Sequence, residues 1–332
     1  LLPEELCIHT SLTFLNTMTN LTDNQEAEVV IIGGSYSGMS AAMALGRALR
    51  SVLIIDAGAP CNRFAPHAHN LLGSDGTPPM EIHAEARKQL LQYSTVRIIE
   101  DTVINATKEA PGFVIHTASA KHYKAQKLLL ATGLKDELPP IPGLQACWGI
   151  SAIHCPYCHG YEFKGGKTAL LATSSEALHM ISLLKQWTRE LSVFTQDGFR
   201  FNKAALDFLQ SQAIPVITDK IISLVHENGS LREVQLENDE GKAAKMPLDV
   251  LYVMPKIQQS LDLQQSLGYK LTAAGHIEVD QGGHSSVQGL YAAGDNSSRF
   301  RSLSYSLATG MAAGAMINFD LVNEKRPLPD IQ

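Results

Sequence analysis

The sequence predicts an α/β fold built on a parallel sheet, and three observations carry the prediction. Val29-Val30-Ile31-Ile32 is a short β-branched run that opens into Gly33-Gly34-Ser35-Tyr36-Ser37-Gly38 and then into small, helix-prone residues 39–45. A second run, Ser51-Val52-Leu53-Ile54-Ile55, ends in Asp56. Runs of this kind, separated by a helical stretch, read as buried parallel strands. The chain has 332 residues, 45% hydrophobic and 18% charged, which suits two ordinary domains with real cores and excludes a disordered chain.

Composition removes several functions. Twenty-seven Lys and Arg stand against 33 Asp and Glu, a net charge of −6 without a basic run, which argues against nucleic-acid binding. No apolar stretch approaches the ~20 residues a spanning helix needs. Five cysteines are too few for a disulfide scaffold, and the odd count suits a reducing, cytoplasmic compartment. Residues 1–24 hold no Lys or Arg, and Thr13 interrupts their one apolar run, so they do not read as a secretory signal. They are expected to be a tail, with Met18 a candidate start and Cys7 without a role.

Strand, glycine turn, helix, strand and acid form the dinucleotide fingerprint in its required context. Gly33 permits the tight turn, Gly38 lets the helix pack closely, and the helix N-terminus offers free N–H groups to a pyrophosphate. Asp56 lies 18 residues past Gly38, placed to accept from ribose hydroxyls. Ser35 stands where a middle glycine is usual, and its small side chain still allows close approach. An ordinary strand–helix unit would share the glycines but not the acid.

Two later segments narrow the cofactor. Leu128-Leu129-Leu130-Ala131-Thr132-Gly133 is a strand breaking at glycine. Gly289-Leu290-Tyr291-Ala292-Ala293-Gly294-Asp295 is a strand followed by an acid, before a small-residue helix over about 303–316. With these motifs in this order, the chain resembles the two-dinucleotide flavoprotein oxidoreductases over residues 27–322. The resemblance implies FAD as cofactor. It places Gly33, Ser35, Tyr36, Ser37, Gly38, Asp56, Asn62, Arg63, His69, Asn70, Ala131, Thr132 and Gly133 at the cofactor. Gly294, Asp295, Arg301, Ser302 and Leu303 join them, with Asp295 on the ribityl chain and the last helix aimed at the flavin ring. A positive helix end there favours anionic reduced flavin.

His154-Cys155-Pro156-Tyr157-Cys158-His159-Gly160-Tyr161-Glu162 holds the only closely spaced cysteines. Two readings compete on the residues alone. One is half a zinc site completed by His154 or His159, although Cys7, Cys61 and Cys147 supply no second pair. The other is a redox dithiol, which needs only two sulfurs with one thiolate stabilised. The pair opens the segment where low-molecular-weight thioredoxin reductases carry their Cys-x-x-Cys, and His159 takes the place of that family's acid. The motif is similar to the thioredoxin-reductase-like branch that includes dithiol oxidases. The resemblance therefore implies a redox pair and no metal, with Cys158 facing the flavin, Cys155 exchanging with an external dithiol or disulfide, and His159 as base or acid; the sequence equally allows the two cysteines to swap roles.

In that family the inserted segment is a second dinucleotide fold, for NADPH. The fold class is thus two Rossmann-like, three-layer ββα domains, the second inserted into the first. The insert's strand is present as Lys167-Thr168-Ala169-Leu170-Leu171, but its turn, Ala172-Thr173-Ser174-Ser175-Glu176-Ala177, has no glycine, and Glu176 adds negative charge. After the next strand, Leu191-Ser192-Val193-Phe194, Asp197 would repel a 2′-phosphate, and Arg200 compensates only in part. NADPH use is therefore not expected, although a diverged site could retain it.

The expected division is a tail (1–26), an FAD-binding domain (27–134 and 256–322), an insert (135–255) and a C-terminal tail (323–332). Pro139-Pro140-Ile141-Pro142-Gly143 and Met254-Pro255 mark crossovers that suit domain rotation. His67 and His69 read as hydrogen-bonding residues near a ligand. Cys61 reads as a small packed thiol, Trp148 and Trp187 as packing residues, and Leu90, Leu91 and Tyr93 as a helix face on the core. The expected function is an FAD-dependent dithiol–disulfide oxidoreductase acting on a thioredoxin-like protein or a small dithiol, with ferredoxin or O2 as a possible redox partner and a homodimer from the family. An NADPH-dependent reductase, an O2-coupled dithiol oxidase and a non-catalytic flavin- or zinc-binding sensor stand as alternatives.

Overall fold

The computed structural model describes residues 25–196 and 198–326. The readings placed on residues 1–24, on Asp197 and on residues 327–332 lie outside the described residues.

Strand β1 (Glu26–Ile32) is followed by helix α1 (Tyr36–Arg47), strand β2 (Val52–Asp56), helix α2 (Pro79–Leu90) and strand β3 (Val96–Glu100). β1, β2 and β3 pair in parallel, with Val29 opposite Val52 and Val52 opposite Val96. An antiparallel meander follows: β4 (Val103–Glu109), β5 (Gly112–Thr117) and β6 (His122–Leu130). β6 also pairs with β1 in parallel, Ile32 opposite Leu130.

β1 is buried on both faces, and alternate residues divide between two cores. Val30 and Ile32 pack with Leu53, Ile55, Phe113 and Ile115 under the meander. Val29 and Ile31 pack with Met39, Ala42, Leu45 and Ile317 under the helices. Each fully buried Val, Ile or Leu contributes about 1.5–3 kcal/mol. The uninterrupted apolar run therefore makes the strand the middle of three layers.

The chain leaves through β7 (Leu134–Glu137), a one-turn helix α3 (Leu144–Cys147), β8 (Ala152–Ile153) and a one-turn helix α4 (Pro156–His159). It then repeats the pattern with β9 (Thr168–Ala172), α5 (Ala177–Leu184), β10 (Leu191–Thr195), α6 (Lys203–Ser211) and β11 (Val216–Ile217). A second meander, β12 (Lys220–Glu227), β13 (Ser230–Glu237) and β14 (Ala243–Pro247), precedes β15 (Val250–Val253). The parallel sheet runs β11-β10-β9-β15-β8. Leu171 and Leu251 face the meander, while Leu170 and Val193 face α5 and α6. The fold is therefore two Rossmann-like units of the same three-layer construction.

The return strand β16 (Lys256–Gln259) pairs antiparallel with β7, so the outgoing and incoming segments form one ribbon. After a one-turn helix α7 (Gln264–Leu267), β17 (Leu290–Ala292) joins the first sheet beside β6. Helix α8 (Leu303–Lys325) closes the fold.

Two local expectations are corrected. α8 extends well past residue 316 and takes in residues 323–325, expected in the tail. Ile317 and Leu321 remain buried, and Lys325 Nζ reaches Glu28 Oε1 at 3.0 Å. Leu91 does not join Leu90 on the core: α2 ends at Leu90, and Leu91 is half exposed.

Candidate functional site

The glycine turn after β1 is held by contacts that only glycine allows. Gly33 has φ +104°, and a Cβ there would sit 2.3 Å from the Ala131 carbonyl oxygen. A Cβ on Gly38 would sit 2.0 Å from the Gly33 carbonyl oxygen. The turn, the start of α1 and the Ala131-Thr132-Gly133 segment thus close on one another. Gly34 N–H donates to Asp56 Oδ1 at 3.0 Å, fixing the acid at the end of β2.

These elements wall a cleft of about 400 Å³. Gly33, Ser35, Tyr36, Ser37, Asp56, Asn62, His69, Asn70, Ala131, Thr132 and Gly133 line it, with Asp295, Arg301, Ser302, Leu303, Cys158 and His159. α8 is brought over it by close packing on α1: a Cβ on Gly310 would lie 2.1 Å from the Ser37 carbonyl oxygen. Ser302 caps α8 by accepting from the Tyr305 N–H at 3.2 Å.

Four predicted site residues stand off the cleft wall. Gly38 lies buried beneath the turn, and Gly294 packs against Ser37 Oγ. Cys155 stands behind Cys158. Arg63 is folded back on its own loop, donating to the Pro60 carbonyl at 2.8 Å with its guanidinium 4.2 Å from the Phe64 ring centroid.

A buried charge network forms part of the cleft wall. Arg301 donates to both Asp136 oxygens, at 2.6 and 2.9 Å, and its Nε lies 3.5 Å from Asp295 Oδ2. Burial pushes the Asp295 carboxyl above its usual range, against the opposing pull of Arg301. Asp136 was missed because it sits in an acidic, surface-like stretch and its partner is 165 residues away. Cys61 is corrected too: its side chain opens onto the cleft, 3.8 Å from Asp295 Oδ2. Desolvation, then the Asp295 carboxylate, push its thiol up to about 11, so it remains a protonated thiol.

Cys155 is the N-cap of α4, with Pro156 in the first turn, where its missing N–H costs nothing. The two sulfurs are 2.8 Å apart, and Cys158 N–H donates to the Cys155 carbonyl at 3.2 Å. The Cys158 thiol donating to Cys155 lowers Cys155 to about 7, helped by the backbone N–H groups of Cys158 and Tyr157. The same hydrogen bond, with burial, pushes Cys158 up. Cys155 is therefore the stabilised thiolate.

Histidines frame the pair. His154 stacks on Trp148 at 5.9 Å, and burial, then Arg301, push it down to about 4, so it stays neutral. Burial also lowers His159. Trp148 is both core and cleft wall, and partly exposed Trp187 stands edge-on to exposed Tyr157 at 5.8 Å. Trp187 is thus the packing residue expected of it, here supporting the cysteine loop.

The wall suits FAD. Its glycine cradle meets the backbone needs of a pyrophosphate. The buried atoms His154 Nε2 and His159 Nε2 have no hydrogen-bond partner among the described residues, which leaves them free for a polar ring system. Among the described residues, no group of three or more His, Cys, Asp or Glu is set to hold a metal ion, and no helix is long and apolar enough to cross a membrane.

Two nucleotide folds joined by a ribbon, with a thiol pair at the end of the first fold's cleft, define a flavin-dependent disulfide oxidoreductase. The chain belongs to the pyridine nucleotide-disulphide oxidoreductase family, whose model matches residues 27–312. It is 28% identical over 309 residues to the thioredoxin reductase sirT of Leptosphaeria maculans, covering 88% of this chain and 93% of that protein. It is 25% identical over 282 residues to a ferredoxin–NADP reductase of Streptococcus sanguinis, covering 81% and 85%. Among solved structures, an oxidoreductase from Agrobacterium tumefaciens superposes with a TM-score of 0.82 at 33% identity, covering 90% of this chain and 99% of that one. The protein is a thioredoxin-reductase-like, FAD-dependent disulfide oxidoreductase.

Proposed function

We propose that Cys155 and Cys158 are the redox pair of this enzyme, with Cys158 on the flavin side and Cys155 on the external side. The carrying observation is the asymmetry of the pair: Cys158 lines the cleft, while Cys155 stands off it and holds the lowered pKa. Bound FAD supplies a two-electron acceptor or donor at the cleft. The turn at Gly33, Ser35 and Gly38 holds the pyrophosphate, Asp56 the ribose, and Asp295 the ribityl chain. The Cys155 thiolate exchanges with an external dithiol or disulfide through a mixed disulfide. His159 takes up or returns the thiol proton.

The external partner in this reading is a thioredoxin-like protein or a small dithiol, and the enzyme works without NADPH. The turn between β9 and α5 lacks glycine, and Glu176 sits exposed at the helix start where a pyrophosphate would need positive potential. Electrons then pass between the flavin and O2 or a ferredoxin-like carrier. We further propose the domain division 27–134 with 256–322 and 135–255, a homodimer, and a cytoplasmic setting. A second reading, an NADPH-dependent reductase, is favoured by the ferredoxin–NADP reductase relative.

Anaerobic flavin spectra separate the two. Bleaching by dithiothreitol but not by NADPH is expected, and rapid bleaching by NADPH sinks the NADPH-independent reading. Cys155→Ser is expected to keep its flavin and lose dithiol exchange. A wild-type exchange rate in that variant removes the pair from the mechanism.

A further inference from the structure

We propose that His69 is a positioning residue that passes the dithiol proton between His159 and solvent, its ring held by Glu162 and Asp75. The proposal rests on the redox-pair reading above.

Oxidising an external dithiol through the pair breaks two S–H bonds and forms one S–S bond. Cys155 rests as the thiolate, so closing it with Cys158 passes two electrons and the Cys158 proton to FAD, while the proton shed in the preceding exchange must leave the sulfurs. His159 is next in sequence to Cys158, and its Nε2 is buried with no hydrogen-bond partner among the described residues. Burial and the nearby His69 and His67 lower its pKa, Glu162 raises it, and the outcome is a neutral ring able to accept. A buried acceptor needs an exit for its proton.

His69 supplies that exit. Its ring lies edge-on to His159 at 6.5 Å between centroids, a spacing that one water bridges. Glu162 Oε1 lies 3.6 Å from His69 Nε2, and Asp75 Oδ2 lies 3.6 Å from Nδ1. Each ring nitrogen thus has a carboxylate beside it. Exposure rises outward along the path, from 21% for the His69 side chain to 38% for Glu162 and 65% for Asp75. His67 stands 6.3 Å from His69 on the same loop, its Nδ1 at 3.1 Å from the Gly76 carbonyl oxygen.

The loop is built to hold this ring. Ala68 N–H donates to the Thr77 carbonyl and Gly76 N–H to the Ala68 carbonyl, both at 2.9 Å. Asn70 N–H donates to Asp75 Oδ1 at 2.7 Å, which fixes the carboxylate whose other oxygen faces His69. In disulfide reduction the same path delivers the proton inward.

The test uses FAD-loaded protein, dithiothreitol as the dithiol and a pH-indicator dye, without oxygen. His69→Gln is expected to retain FAD while bleaching and proton release slow by at least about tenfold, with added imidazole restoring both. Wild-type rates in His69→Gln, or slow rates that imidazole leaves unchanged, overturn the relay. If His69→Gln loses FAD, Glu162→Gln decides, since Glu162 is off the cleft wall: slowing with imidazole rescue supports the relay, and wild-type rates overturn it. A second readout needs no turnover. In NMR titrations of the histidine rings, the His159 midpoint is expected to fall in Glu162→Gln and to rise in His69→Gln, and an unmoved midpoint in both overturns the proposal. Bleaching of Cys158→Ser at the wild-type rate would instead sink the underlying redox-pair reading.

Discussion

At Cys155 a hydrogen bond from the neighbouring thiol and two backbone N–H groups converge on one sulfur. In the reduced protein, iodoacetamide is expected to modify Cys155 with a midpoint near pH 7, about where its pKa is lowered to, and Cys158 only far above that. Mass spectrometry of the two cysteines across pH checks this, and the reverse order would exchange their roles. Arg301 offers a stability prediction. Both it and Asp136 are nearly buried, so Asp136→Ala removes the bidentate partner, leaves only the 3.5 Å contact with Asp295, and is expected to cost about 3 kcal/mol, read from denaturant unfolding. The sequence made Cys155, Cys158 and Asp295 legible because each sits in a short motif. Asp136 and Cys61 were opaque because their roles come from partners distant in the chain.

Among the elements, the crossing of α1 and α8 sets the cleft. Gly310 faces the Ser37 carbonyl, and a Cβ on Gly314 would lie 2.5 Å from the Ala41 carbonyl oxygen. Gly310→Ala must push the helices apart. Overpacking of this kind costs about 1–3 kcal/mol, and it moves the α8 N-terminus off the cleft. Lower flavin content in the purified variant, with a lower melting temperature, is the expected result. The small residues of α8 are what permit that approach. Its end was not legible, because Ile317 and Leu321 bury against the sheet while Lys325 is held by Glu28, a residue 297 positions earlier.

Across the whole molecule, the first sheet is closed by residues from both ends of the chain. His284 joins Asp280 at 2.9 Å and Asp320 at 2.8 Å, while the Tyr291 hydroxyl donates to Asp320, so one imidazole ties α8 to the strand beside it. Partial burial opposes protonation, but the hydrogen bonds to Asp320 and Asp280 hold His284 above its ordinary value of about 6.5. A raised folded pKa means the contribution is complete below about pH 6.5 and lost as pH rises through the folded pKa. Melting temperatures of the holoprotein are therefore expected to fall over that rise, and His284→Gln to flatten the fall. An equal slope in the variant would remove the assignment. The two-unit architecture was legible because uninterrupted apolar runs separated by helical stretches have few other solutions.

The ribbon of β7 and β16 has a consequence for descent. Both exits from the first sheet lie side by side, and the insert carries its own two cores. Substitutions in the turn at residues 172–177 therefore leave the flavin cradle's packing untouched. The second unit's nucleotide turn can therefore diverge across generations without disturbing the first unit's core.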